Sequence, residues 1–152
     1  MERDVPLEFS IHEMTIAVNN IDAAQNRFAG ALNGQSDEVQ SFPQESFSLD
    51  MGGVWIGDFH IAMVNDPTGN GPVGRFLAKR GEGVYEVNIR TNDLPAAVEH
   101  MKSQGVRFIN EEPKVLRNYD AGHGLILSEL RICFADPSTT HGVLMEVAEW
   151  VE

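Results

Sequence analysis

A stretch near the start of the chain returns in its middle. Glu13-Met-Thr-Ile-Ala-Val-Asn-Asn-Ile-Asp-Ala-Ala24 is echoed by Glu86-Val-Asn-Ile-Arg-Thr-Asn-Asp-Leu-Pro-Ala-Ala97, an offset of 86 − 13 = 73 positions. A repeat of this period restricts the chain to a fold made of two similar modules. The letters also carry the same structural pattern twice. From Ile11 to Val18 β-branched residues favour a strand, Asp22 caps a helix whose apolar positions are Ala24, Phe28 and Ala31, and Asn33-Gly34 ends it. In the second copy Val84–Thr91 reads as a strand and Asp93 as a cap. Pro95 then falls in the first helical turn, Leu94, Val98 and Met101 form a buried stripe, and Gly105 stops the helix.

Each helix precedes three extended segments. In the first half these are Phe47–Leu49, Gly53–Ile56 and Phe59–Val64; in the second, Val106–Ile109, Leu125–Phe134 and Val143–Val147. Residues 65–74 read as a loop, Arg75–Lys79 as a short helix and Gly81-Glu-Gly83 as a turn, with further loops at Gln35–Gln44 and Leu116–His123. The expected fold class is α+β, two βαβββ modules forming a curved mixed sheet around a central cleft. One domain spans 1–152: module 1 covers 8–66, a linker with the short helix 67–82, and module 2 83–150. A half alone would leave one face of its sheet bare, so the modules belong to one domain.

The 152 residues are 42% hydrophobic, enough to bury a single core. No apolar run is long enough to cross a membrane, and the charged N-terminus lacks the apolar stretch of a signal peptide, so a cytoplasmic setting is expected. A formal charge of −12 argues against a nucleic-acid partner, because phosphate backbones are held by Lys and Arg. The single Cys133 has no partner for a disulfide and reads as a packing residue.

Strand alternation places Glu13, Thr15 and Ala17 on the face opposite Met14, Ile16 and Val18, which pack on the helix. By the same alternation Glu86, Asn88 and Arg90 share the face away from the second helix, while Tyr85, Val87 and Ile89 take the helix side, as does His12. Glu146 lies between aliphatic residues of the last strand, where a carboxylate needs a partner. Matching the last strands of the two halves sets Ala62 opposite Glu146, so pseudo-symmetry predicts four equivalent inward positions: Glu13, Ala62, Glu86 and Glu146. Three converging carboxylates repel one another unless a cation, basic neighbours or raised pKa values relieve them. A divalent metal held by Glu13, Glu86 and Glu146 is one answer. An all-oxygen set favours Mg or Mn, whereas a nitrogen from His60, on the same strand face as Ala62, shifts preference toward Fe, Co, Ni or Zn.

These stretches resemble the vicinal oxygen chelate superfamily of glyoxalases, methylmalonyl-CoA epimerases, extradiol dioxygenases and resistance proteins. The similarity is strongest to the epimerase-like branch in Ile16-Ala-Val-Asn-Asn-Ile21, in Arg75-Phe-Leu-Ala-Lys-Arg80 before Gly83-Val-Tyr-Glu-Val87, in Gly105–Pro113, and in Phe134-Ala-Asp-Pro-Ser-Thr139 leading to Gly142-Val-Leu-Met-Glu146. The resemblance implies metal ligands at Glu13, Glu86 and Glu146, with Ala62 at a fourth place where no donor is present. Epimerases of this type carry His at the first and third places and Gln at the second; Glu13 and Glu86 depart from that set in ligand type, and Ala62 cannot coordinate. It further implies a metal-dependent isomerase, epimerase or lyase that acts through a chelated enolate on a small carbonyl compound or acyl thioester. Glu146 and Glu45 are then the candidate catalytic carboxylates, and Asn88, Arg90 and His60 contact the substrate. Arg75, Lys79 and Arg80 form a basic patch suited to a phosphate-bearing carrier, and His123 lies in a loop able to close over a ligand. The alternative is a binding protein that sequesters a small molecule in the same cleft. A homodimer is implied by the resemblance alone.

Overall fold

The computed structural model describes residues 5–152 of the chain, which divide into two compact units, one of His12–Val87 and one of Asn88–Glu152 with the N-terminal residues up to Ile11. The elements of the first unit follow in the order β1 (Phe9–Ala17), α1 (Ile21–Leu32), β2 (Gln35–Ser36), β3 (Gln40–Pro43), β4 (Ser48–Ile56), β5 (Phe59–Asn65) and α2 (Pro72–Arg80). Its strands lie in the order β2–β4–β5–β1, with β3 also paired to β4. β1 and β5 run parallel and set Glu13 opposite His60 and Thr15 opposite Ala62. β4 and β5 form an antiparallel hairpin in which Trp55 faces His60 and Gly53 faces Ala62.

The helix face of this sheet closes as the alternation requires: Ile16, Val18, Ile21, Val54, Ile61 and Met63 pack under Ala24, Phe28 and Ala29 of α1. A second cluster joins Ala17, Val64 and Val73 to Phe76 and Leu77 of α2. Tyr85 belongs to it, its ring edge-on to Phe76 at 5.1 Å, so α2 and not the second-copy helix receives this side chain.

The second unit takes in the end of β6 (Gly83–Thr91), then α3 (Leu94–Ser103), β7 (Lys114–Gly122), β8 (Leu125–Ala135), a single 3-10 turn (Pro137–Thr139) and β9 (Met145–Val151). The strand order is β6–β9–β8–β7, with β7, β8 and β9 antiparallel in turn. The repeat is therefore structural: each module's first strand lies beside its last, and the last beside the strand before it, as β1–β5–β4 and β6–β9–β8. Asp93 caps α3 by accepting from Ala96 N at 3.1 Å, and Leu94, Ala97 and Val98 seal a core with Phe108, Cys133, Ala135 and Val147. No helix is long and apolar enough to cross a membrane, among the described residues.

Four local expectations are corrected. Asn20, not Asp22, caps α1: its side chain accepts from Ala23 N at 2.9 Å, and Asp22 sits in the first turn, where it still meets the positive end of the helix dipole. Val106–Ile109 makes no strand and contributes only the bridge of Phe108 to Ala135. Gln35–Gln44 and Leu116–His123 are not plain loops, since they supply β2, β3 and most of β7. β3 is exposed throughout and β7 nearly so, which erases the alternation that reveals a half-buried strand. The segment 65–74 turns helical at Pro72, a residue whose fixed φ suits a helix start.

Asp66 ties that segment down. Its carboxylate accepts from Thr68 N at 2.9 Å, Thr68 Oγ1 at 2.6 Å and Gly71 N at 2.6 Å, directly before α2. Burial opposes its ionised form, but these donors outweigh burial and hold the carboxyl below its usual range. A folded-state value below the unfolded one stabilises the protein above the unfolded value, and that contribution disappears as pH falls through the folded value. Asp66→Ala is expected to cost about 1–3 kcal/mol at neutral pH. Denaturant melts of both proteins should show the gap narrowing in acid.

Candidate functional site

The parallel register that sets Glu13 opposite His60 also joins their side chains. His60 Nδ1 lies 2.5 Å from Glu13 Oε2, and His60 Nε2 lies 2.7 Å from Asp37 Oδ2. The imidazole is thus clamped between two carboxylates, each nitrogen taken by one. Burial disfavours its charged form, yet hydrogen bonds and charge from Asp37 and Glu13 outweigh that and push its pKa from 6.5 up to about 9. At neutral pH the group is an imidazolium, and the two carboxylates with it carry one net negative charge.

Neighbours outside the clamp shape it. Asp37 N donates to Gly53 O at 2.9 Å, and the buried Gln25 side chain spans the same two residues, donating to Asp37 O at 3.1 Å and accepting from Gly53 N at 2.6 Å. A Cβ on Gly53 would stand 2.6 Å from His60 Nε2, on the nitrogen that Asp37 uses, and one on Gly52 would stand 2.3 Å from Gln25 Oε1. Trp55 covers the ring, its centroid 4.5 Å from that of His60. Sequence reasoning missed Asp37 and Gln25. Asp37 follows β2 with no periodic signal, and Gln25 is a polar residue on an apolar helix; the one available clue was the glycine pair Gly52-Gly53 inside a strand.

The other expected site residues are found as follows. Glu86 is half-buried on β6 in the same unit as Glu13, and Ala62 is buried on β5 with no donor atom. Glu45 is exposed in the bend between β3 and β4. Arg75 is occupied by Asn70 O at 2.7 Å, and Arg80 lies 5.8 Å from the Phe76 ring centre. In the second unit Glu146 is half-buried on β9 and Asn88 is buried on β6. The Arg90 guanidinium stacks over Trp150 at 3.8 Å, within a groove of about 550 Å³ that Phe9, Thr91, Asn92 and Glu149 help to line. Glu149 is occupied by Leu94 N at 2.6 Å and lies 3.8 Å from Arg131. His123 takes a left-handed turn conformation after β7. Among the described residues, no group of three or more His, Cys, Asp or Glu side chains is assembled to hold a metal ion.

The Glyoxalase/Bleomycin resistance protein/Dioxygenase superfamily profile matches residues 12–123. The mitochondrial methylmalonyl-CoA epimerase of Mus musculus is 24% identical over 91% of this chain and 72% of its own length. Among solved structures, the hypothetical protein BH1468 of Bacillus halodurans C-125 covers 95% of this chain and 96% of its own with a TM-score of 0.76 at 24% identity. The methylmalonyl-CoA epimerase of Mycobacterium tuberculosis covers 91% and 86% with a TM-score of 0.71 at 24% identity.

Three outcomes follow from the clamp. The ring signals of His60 should titrate near pH 9 by NMR. Because the folded value is raised, the clamp's stabilisation is fully present below about 6.5 and fades as pH rises through about 9, an upper bound of about 3 kcal/mol. Gly53→Ala should lower stability by about 1–3 kcal/mol, because the added Cβ would meet both His60 Nε2 at 2.6 Å and the Ile61 carbonyl oxygen at 2.7 Å, read as a lower denaturation midpoint.

Proposed function

Because the chain belongs to the glyoxalase/bleomycin resistance/dioxygenase superfamily, we propose that it is an isomerase of the epimerase type, moving a proton at the carbon beside the carbonyl of a small acyl thioester or related carbonyl compound. The observation that carries this reading is the similarity to a methylmalonyl-CoA epimerase along 91% of the chain. The polar groups of the second unit suit the chemistry. Removal of such a proton requires a carboxylate within hydrogen-bond reach of the carbon and donors for the oxygen on which charge develops. Glu146 is the carboxylate we assign to the proton, in preference to the exposed Glu45. Arg90, whose guanidinium carbon lies 3.8 Å over the Trp150 ring, carries the planar fork of donors that binding a substrate carboxylate or carbonyl oxygen demands. Asn88 supplies a buried amide on the same strand. In this reading the protein works as a cytoplasmic homodimer.

The family's divalent metal does not fit the residues present in the first unit. Glu13 has an oxygen committed to His60, Ala62 offers no donor, and a dication on Glu13 would stand beside an imidazolium. No step is therefore routed through a metal, and the expected ligand set of Glu13, Glu86 and Glu146 is not used in the mechanism. The absent donor at Ala62 also favours a second reading, in which the protein sequesters a ligand without turnover.

Incubation with methylmalonyl-CoA in D₂O separates the two. Exchange of the proton beside the thioester, followed by NMR, is expected with the wild type, and Glu146→Gln should slow it about 10²–10⁴-fold. Arg90→Ala should act mainly through KM. A wild type that binds the thioester and exchanges nothing would replace the epimerase reading with sequestration.

A further inference from the structure

We infer that this chain has exchanged a metal ligand for an internal ion clamp: Glu13, at the place where the resemblance expects a metal ligand, instead holds His60 together with Asp37, and no divalent ion binds there. The inference goes beyond the epimerase reading and stands on geometry in His12–Val87 alone.

Three features make the clamp a built arrangement and not a chance contact. The parallel pairing of β1 and β5 puts Glu13 and His60 at directly opposed positions, so their meeting is fixed by backbone register. Asp37 reaches the second nitrogen because its own backbone is held at Gly53 from both sides, by Gly53 O and through the Gln25 amide. The space for this exists only because positions 52 and 53 lack a Cβ, which would fall 2.3 Å from Gln25 Oε1 and 2.6 Å from His60 Nε2. Gln25 is buried, and its bonds to Asp37 O and from Gly53 N, with the space left at both glycines, hold Asp37 beside His60.

The clamp also accounts for Ala62. A metal on Glu13 would find only Oε1 outside the clamp and would need further donors from β5, but the residue facing Thr15 there is an alanine and the histidine two positions earlier has both nitrogens engaged. Glu13, one of the acidic residues that in sequence seemed to call for a metal, thus finds its partner within the fold, in the ring that Asp37 holds from the other side.

Manganese is the probe, in protein purified once with and once without EDTA. Free Mn²⁺ counted by electron paramagnetic resonance should show no stoichiometric uptake by the wild type, and EDTA should leave its melting temperature unchanged. Uptake that Glu13→Gln leaves intact also supports the clamp, since the ion then lies elsewhere. Uptake of one equivalent that Glu13→Gln abolishes overturns it. If that variant does not fold, Mn²⁺ broadening of the Glu13 and His60 amide signals in the wild type serves in its place: selective broadening overturns the clamp, and sharp signals uphold it. Thioester exchange measured beside it reports on the epimerase reading separately, because either result can fail without the other.

Discussion

The contact between Glu13 and His60 is the constraint from which the first module's polar architecture follows. Two strands paired in parallel bring an acid and an imidazole to one rung of the ladder, and a carboxylate there cannot be left in a half-buried setting without compensation. Protonating the imidazole provides it, but leaves a cation with one nitrogen still to satisfy. Asp37 answers that need, and its loop must then be held against β4, which is what Gln25 does. Each polar residue creates the requirement that the next one meets, until the network ends on backbone atoms and on partly exposed Asp37 oxygen.

Removing His60 leaves the Glu13 and Asp37 carboxylates without their shared partner. Loss of a single partner from such a buried array generally costs more than the array contributes as a whole, because the remaining charge keeps its desolvation and loses its counterion. Such a network specifies one arrangement of β1, β5 and the segment after β2, which apolar packing under α1 would not fix alone. The second unit solves its polar problem differently, with Glu149 shared between a helix N-terminus and Arg131, and with Arg90 supported by an indole face.

The duplicated pattern made the architecture legible before any coordinates: the first strands, their helices and the last strands all carry alternating or helical periodicity because one face of each is buried. Strands β3 and β7 bury little, so nothing in their composition separates them from loops. Asn20 was overlooked as a cap because Asp22 is an equally suitable residue two positions on, and backbone geometry alone decides between them. At the site, alternation puts Glu13 on the strand face away from α1 and predicts that the acidic residues there need relief from a cation, basic neighbours or raised pKa values. Alternation could not reveal the pairing of Glu13 with His60, because that depends on the β1–β5 register and on Asp37, a residue from a stretch without periodicity.

The close approach at Gly53 has a consequence for reading related chains. A strand glycine that makes room for a ring nitrogen is a record of that nitrogen's occupied state, and it survives in plain sequence. Chains that keep Glu13, Gln25, Asp37, Gly52, Gly53 and His60 together can be sorted as carriers of an internal counterion, whereas a side chain at either glycine would mark a pocket organised on another plan.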